Sequence, residues 1–289
     1  MRLFVFGLGY AAGAIVRRLG VKIDATSRQY RSTLSTLTPQ AAGVDRHLVF
    51  DGSAASRAVS DALAEASHVL VSIPPGARGD PVLSHFRNDL AALRPQALVY
   101  LSTVGVYGDH GGGWVDEASE CRPVSLRSRR RLQAEAAWRL FAQETGIPVA
   151  ILRLAGIYGP GRSAFDRLRD GTARRIVKPG QVFNRIHVDD IAVSVEAALG
   201  ARADGTFNIA DDEPAPPQDV VSHAAELLGV PAPPEVAFET ADLTPMARSF
   251  YGDNKRVRNA RLKSELGVEL AFPTYREGLA AILAATAAG

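Results

Sequence analysis

The chain has 289 residues, 46% apolar and 22% charged, with 33 basic against 31 acidic side chains. That is enough apolar material for a sizeable core, and a net charge of +2 argues against a dedicated nucleic-acid binder. Cys121 is the only cysteine, which excludes an intrachain disulfide and a cysteine-rich zinc centre, and no apolar run approaches the roughly 18 residues of a membrane span.

Arg2 to Phe6 is a short apolar run that stops at glycine and predicts a strand buried on both faces, not a signal peptide; a cytoplasmic location is expected. Tyr10–Leu19 reads as helix, Val21–Thr26 as a second strand and Leu48–Phe50 as a third, followed by Asp51. Ser53–Ala66 is Ala-rich and periodic, hence helix, and His68–Ile73 is a fourth strand ended by Pro74-Pro75. Pro81–Leu93 is helix, with proline suited to its first turn, and Ala97–Ser102 is a fifth strand. Leu126–Thr145 is a long helix and Val149–Leu154 a sixth strand. Then come helix 189–199, strand 206–209 and helix 218–228 within a proline-rich stretch, and Asn259 as the N-cap of helix 260–266, which Gly267 stops.

Connections this long do not make hairpins. The alternation predicts an α/β fold, a doubly wound parallel sheet with crossover helices and a small C-terminal substrate region. The expected division is a dinucleotide-binding domain over 1–155 and a substrate region over 156–289, with 187–210 packing back on the first domain.

Gly7-Leu8-Gly9-Tyr10-Ala11-Ala12-Gly13 follows the first strand and opens the first helix. Gly7 permits the tight turn, Gly9 lets the backbone approach a pyrophosphate, and Ala12 or Gly13 allows close helix–strand packing. Unpaired amides at the helix start, around Tyr10 and Ala11, then face phosphate. The competing reading is a packing turn without a ligand. At the end of the second strand, Asp24 lies inside the strand pattern, whereas Ser27 and Arg28 stand where a 2′-phosphate would be held. NADP is therefore expected, with NAD possible; the alternative for Arg28 is a solvated loop arginine. Asp51 is either an adenine ligand or a turn aspartate.

Leu101-Ser102-Thr103-Val104-Gly105-Val106-Tyr107-Gly108 resembles the S-S/T-x-x-V-Y-G segment of extended short-chain dehydrogenases/reductases, in their nucleotide-sugar epimerase/dehydratase-like branch. Leu152–Gly161, the segment Arg185-Ile186-His187-Val188-Asp189-Asp190-Ile191-Ala192, and Gly205–Ile209 resemble later motifs of that family in the same order. The segment Ser72-Ile73-Pro74-Pro75 and the tail Asn254–Asn259 resemble a small, atypical subgroup. The resemblance implies cofactor contacts from Gly7, Gly9, Tyr10, Ala11, Ala12, Ser27, Arg28, Asp51, Pro74, Pro75, Ser102 and Ala155, a small-molecule substrate, no metal, no membrane and no nucleic acid. It also implies a possible homodimer through helices 81–93 and 126–145.

The family's chemistry runs on Ser/Thr, Tyr and Lys. Thr103 matches the first. Counting back from Glu135, which matches the acid after the Tyr-x-x-x-Lys pair, places Arg127 at the tyrosine position and Arg131 at the lysine position. Arginine stays protonated throughout the working pH range and cannot shuttle a proton. Arg131 still fits as a ribose ligand. The proton donor is then Tyr107, Tyr158, His110, Asp116, Glu117 or His187, each of which singly reads more readily as a packing or turn residue. Otherwise it is water, with Arg127 and Thr103 stabilising an oxyanion. A third possibility is a non-catalytic NADP(H)-binding sensor or interaction module. Arg153 reads as structural, Arg162, Arg248 and Arg256 as candidate ligands of a substrate anion, and the run Arg127–Arg131 as a solvated helix start.

Overall fold

The computed structural model describes residues 1–27 and 43–287. Seven parallel strands form the central sheet: β1 (Arg2–Phe6), β2 (Lys22–Ser27), β3 (Arg46–Val49), β4 (His68–Val71), β5 (Ala97–Thr103), β7 (Val149–Leu154) and β11 (Gly205–Ile209). Their order across the sheet is β11-β7-β5-β4-β1-β2-β3. Every residue of β4 and β7 is buried, as a parallel sheet covered on both faces requires. The chain passes from β1 outward to β3 and returns to β4 on the other side of β1. A crevice therefore opens beyond the carboxyl ends of β1 and β4.

The connecting helices are α1 (Tyr10–Leu19), α2 (Arg57–Leu63), α3 (Pro81–Leu93), α4 (Leu126–Thr145) and α6 (Val188–Gly200). Asp80 caps α3 by accepting from the amides of Val82 (2.9 Å) and Leu83 (3.1 Å), with Pro81 in the first turn. Ser125 caps α4, and Gly146 ends it in the left-handed conformation (φ 68°). One buried cluster, including Leu3, Ile15, Val99, Ile191 and Phe207, fills the sheet face under α1 and α6. The other, including Phe4, Phe86, Tyr100 and Trp138, fills the opposite face under α2, α3 and α4.

The second region is assembled from short pieces: β8 (Gly156–Tyr158) beside β10 (Arg185–His187), β9 (Arg175–Val177) beside β12 (Glu235–Ala237), and β6 (Trp114–Val115) beside β13 (Arg256–Val257). Helices α5 (Ala164–Arg169), α7 (Pro217–Leu228), α8 (Pro245–Phe250), α9 (Ala260–Leu266) and α10 (Tyr275–Ala287) complete it. α6 packs back on α1, and β11 extends the sheet beside β7. Among the described residues no helix is long and apolar enough to cross a membrane.

Several expected boundaries move. α2 starts at Arg57 rather than Ser53, because Asp51 accepts from the Ser53 amide and hydroxyl (2.8 and 2.6 Å) and holds residues 51–53 in a turn. β4 ends at Val71, before the two prolines, and β3 covers Arg46–Val49. Asn259 occupies the N-cap position of α9, but its side chain donates to the Ala210 carbonyl and to Asp212 instead of accepting a helix amide.

Candidate functional site

The glycine loop lies between the end of β1 and the start of α1. Gly7 has φ 97°, and a Cβ there would sit 2.8 Å from Ile73 Cγ1, so glycine is required at this turn. Its amide donates to Thr26 Oγ1 (3.2 Å), and the Leu8 amide to the Thr26 carbonyl (2.8 Å). Gly9 is the N-cap of α1, and a Cβ there would meet nothing within 4 Å, so open space stands before the helix start. Gly13 donates to Gly9 (2.8 Å), which leaves the amides of Tyr10, Ala11 and Ala12 without helical acceptors. Ala12 is fully buried against the sheet, whereas Gly13 meets only Arg17; Ala12 therefore provides the close packing. These features fit a dinucleotide: an open approach, three unpaired amides and a positive helix end.

Asp24 faces away from this crevice, as its place in the strand pattern indicates. It is buried and paired with Arg46 (2.8 Å) and Arg2 (3.1 Å). Burial opposes its charge, but the bonds from Arg46 and Arg2 outweigh that and hold its carboxyl below the usual range. Ser27 is the last residue of β2, and its carbonyl accepts from the Phe50 amide (2.9 Å). Arg28 lies outside the described residues. Asp51 forms the turn already described at the end of β3. Pro74 is exposed and Pro75 half-buried beyond β4, and buried Ala155 follows β7.

The carboxyl end of β5 brings Thr103 to the start of α4. Thr103 Oγ1 accepts from the Gly105 amide (3.1 Å), capping a short 3-10 turn, Val104–Tyr107, and its hydroxyl proton remains available to donate. A Cβ on Gly105 would lie 3.0 Å from Ser128 Oγ and 3.4 Å from Thr103 Oγ1, so these two hydroxyls flank one glycine. Four residues before Glu135, Arg131 reaches under the strand end. Its Nη1 donates to Tyr100 Oη and to the Leu101 carbonyl, each at 2.9 Å. Buried Asp80, at the start of α3, lies within electrostatic reach of the same guanidinium; burial raises its pKa and Arg131 works against that rise. The sequence analysis did not single out Ser128, Tyr100 or Asp80. Only Asp80 had a signal, the Asp-Pro start of α3.

Tyr107 does not join this group. The 3-10 turn rotates it into the core, where it is fully buried and donates to Asn208 Oδ1 (2.7 Å), with the Arg153 guanidinium 4.8 Å from its ring centre. Burial pushes its phenol up to about 12. It therefore cannot meet a ligand as a proton donor in this arrangement. Ser102 is likewise turned inward and donates to Glu135 (2.5 Å). Glu135 is fully buried and also accepts from Arg153 (2.8 Å) and Arg139 (2.8 Å). This network locks α4 to β5 and β7, and it gives Arg153 the structural role expected of it.

The other candidate donors also have structural partners. His110 Nε2 lies 3.2 Å from the carbonyls of Tyr107 and Glu120. Asp116 organises a turn with Ala118 and Ser119. Glu117 accepts from the Asn208 amide (2.7 Å). His187 caps α6 and packs on Phe272, while Tyr158 donates to the Thr274 carbonyl (3.3 Å).

Arg127, exposed on the first turn of α4, turns toward the second region. Its guanidinium stands 5.2 Å from the ring centre of Phe250, the last residue of α8. Beside it, Phe238 stacks on Tyr251 (4.9 Å), with Arg248 (4.9 Å) and Lys178 (5.3 Å) against the Phe238 ring. Lys178 also donates to the Tyr251 carbonyl. Arg256 donates to the Gly112 carbonyl, and buried Lys255 donates to the Gly108 carbonyl (3.0 Å). Those last two therefore fasten the glycine-rich 108–113 loop instead of facing a ligand.

A family model, the NAD dependent epimerase/dehydratase family, matches residues 81–210. A solved structure of a functionally unknown conserved protein from Silicibacter pomeroyi is 46% identical, covers 98% of both chains and superposes with a TM-score of 0.89. A 3-diazoavenalumate denitrifying reductase from Streptomyces is 30% identical over 143 residues, and that match spans 45% of each chain, less than half of the reductase. MoeE5, solved with UDP-glucuronic acid and NAD, shares the fold at 21% identity (TM-score 0.79, 100% of this chain and 99% of that one). With the seven-stranded sheet and the glycine loop in place, residues 81–210 of this chain match the NAD-dependent epimerase/dehydratase family, and a solved putative NAD-dependent epimerase/dehydratase from Methylobacillus flagellatus shares the fold at 28% identity (TM-score 0.70, 99% of this chain and 98% of that one).

Proposed function

We propose that the protein is an NADP(H)-dependent oxidoreductase acting on a small or nucleotide-sugar-like substrate, and that it works without the family's Tyr-x-x-x-Lys pair. The observation that carries this reading is Arg131. It stands at the lysine position, anchored to Tyr100 and Leu101 on the strand that ends in Thr103, which supports it as the cation that would hold a nicotinamide ribose. Gly7, Gly9 and the first turn of α1 would hold the diphosphate, and Ser27 with Arg28 the 2′-phosphate. Asp24 is bound to Arg46 and Arg2, β2 ends at Thr26-Ser27 without an acid for ribose hydroxyls, and Arg28 follows in the sequence; this supports NADP over NAD.

When bound, the nicotinamide supplies the hydride chemistry. Thr103 would donate a hydrogen bond to the reacting oxygen, since its hydroxyl's only bond among the described residues is one it accepts, from the Gly105 amide. Arg127, on the first turn of α4, would add fixed positive charge that favours an anionic transition state. Neither is a proton shuttle, and Tyr107 is buried, so the proton comes from water. Reduction of an acceptor whose product anion water can protonate suits this arrangement better than reversible oxidation of an alcohol, which needs a base. The Streptomyces relative is a reductase, and MoeE5 binds a nucleotide sugar; both substrate classes are consistent with the cationic and aromatic surroundings of Phe238 and Phe250.

The loss of the phenol also favours a second reading, a non-catalytic NADP(H)-binding sensor. One experiment tests both. The melting midpoint of the purified chain is measured with NADPH, NADP⁺, NADH and NAD⁺ in turn. A ligand at about a hundred times its dissociation constant stabilises by roughly 2.7 kcal/mol. A shift confined to the phosphorylated pair is expected, and a shift with none of the four sinks both readings. Turnover is then followed by nicotinamide absorbance with a panel of ketones, enones and nucleotide sugars. Thr103→Ala should lose about a hundredfold in turnover at unchanged cofactor affinity. Binding without turnover of any substrate leaves the sensor.

A further inference from the structure

We propose that Arg162, delivered from the second region, is a ligand of the dinucleotide's diphosphate, and that Tyr10 is the residue that positions it. This rests on the cofactor reading above.

Tyr10 is the first residue of α1, yet its side chain leaves the helix sideways. Its hydroxyl donates to the Pro160 carbonyl (2.9 Å), 150 residues further along the chain. Pro160 belongs to a tight turn, Gly159–Arg162, closed by two backbone bonds: Arg162 amide to Gly159 carbonyl (3.0 Å) and Gly159 amide to Arg162 carbonyl (3.3 Å). The turn fits Tyr10 closely. A Cβ on Gly159 would stand 2.6 Å from Tyr10 Oη and 2.7 Å from Val188 Cγ1, so only glycine lets the two segments meet. The docked turn places the Arg162 guanidinium 5.6 Å from the centre of the Tyr10 ring.

Arg162 is exposed, and among the described residues no ion pair involves it. The nearby Asp166 carboxylate is instead occupied by the amide and hydroxyl of Ser163 (2.6 and 2.8 Å), the capping box of α5. A guanidinium is therefore held beside the positive end of α1, whose first turn contains no acidic residue. Two like-signed features side by side favour an anion between them, beyond the Asp189 and Asp166 carboxylates that already act on the Tyr10 hydroxyl from this side. The space before Gly9 is open, and the anion that α1 would take is a diphosphate. Arg162 would grip it from the side opposite the amides through a charge-assisted, bidentate bond. Because Arg162 directly precedes the cap of α5, cofactor binding would also fix the start of the second region.

The test compares wild type, Arg162→Ala, Arg162→Lys and Tyr10→Phe as full chains, titrated with NADPH and with adenosine 2′-monophosphate, which lacks the diphosphate. Arg162→Ala should weaken NADPH about tenfold or more and leave adenosine 2′-monophosphate unchanged. Arg162→Lys should restore part of the loss. Tyr10→Phe keeps the ring but loses the bond to Pro160, and should fall between wild type and Arg162→Ala. Unliganded melting of Arg162→Ala should match wild type, since the side chain is exposed. NADPH binding at full strength in Arg162→Ala overturns the proposal while leaving the cofactor reading intact, and so does an equal loss for both ligands. A wild-type chain that binds none of the dinucleotides overturns the cofactor reading and this one together.

Discussion

The half of the molecule built on the seven-stranded sheet and its second region are built on different terms. The first has a sheet with strands of up to seven residues, a large apolar cluster on each face and a buried Glu135 network tying α4 to two strands. The second rests on small clusters, such as Tyr158 with Phe165 and Tyr275, and Ile176 with Tyr251. Its strands are two or three residues long, and α8 buries none of its side chains. One end of the site is thus set rigidly, while the other is held by cation–aromatic contacts and loop bonds. A fold built this way can change its second region without disturbing the core of the first.

Breaking the rigid half should have the largest effect. Glu135 accepts from Ser102, Arg139 and Arg153 with no exposure to water, and Arg153 is itself buried. Glu135→Ala leaves a buried guanidinium without its counter-charge, which costs about 3–5 kcal/mol. Chemical denaturation should show that loss directly, with melting lowered by about ten degrees. A loss below about 1 kcal/mol would mean that the network is not what fixes α4.

A smaller effect is expected where the second region meets the sheet. Asp211, just after β11, is buried near the Arg185 guanidinium, with the Glu213 backbone amide beside its carboxylate. Burial pushes its pKa up to about 8, against the pull of Arg185. An unfolded aspartate releases its proton near pH 4. Between those values the folded state holds a proton that the unfolded state has lost, so stability falls as pH rises, by up to about 1.4 kcal/mol per pH unit. Asp211→Asn removes the titration. Urea midpoints of variant and wild type should therefore diverge from pH 5 to pH 8, with the variant gaining on wild type. A constant difference across that range would show that Asp211 ionises at an ordinary pH.

The same contrast governs what the sequence reveals. α3, α4 and β7 fall where periodicity and the Pro81 start place them, because long elements repeat their pattern over several turns. The pairs β8–β10, β9–β12 and β6–β13 have no such pattern; each depends on a partner distant in sequence. At the site, the glycine loop was legible because turn, strand and helix occur together. Tyr107 was not, since its motif says nothing about the 3-10 turn that rotates it toward Asn208. Arg131 was legible as a position, but its seat on Tyr100 depends on a strand neighbour that no spacing marks. Phe250 was missed because an aromatic on a short exposed helix carries no signal until Arg127 is seen against it.

That last contact should give the smallest effect. Arg127 and Phe250 are both exposed, and a cation–aromatic pair in water is worth about 0.5–1 kcal/mol. Arg127→Ala and Phe250→Ala should each change stability by less than about 1 kcal/mol, and a double-mutant cycle should return a coupling of about 0.5 kcal/mol. The informative quantity is how the two variants divide in kinetics once a substrate is known. Phe250→Ala touches the second region alone, so it should raise KM a few-fold and leave kcat near wild type. Arg127→Ala also removes a charge from the first turn of α4, so it should lower kcat too if that charge stabilises the developing anion. Identical kinetic changes in both variants would reduce Arg127 to a tether for α8, leaving Thr103 and Arg131 as the residues of α4 and β5 that bear on the reaction.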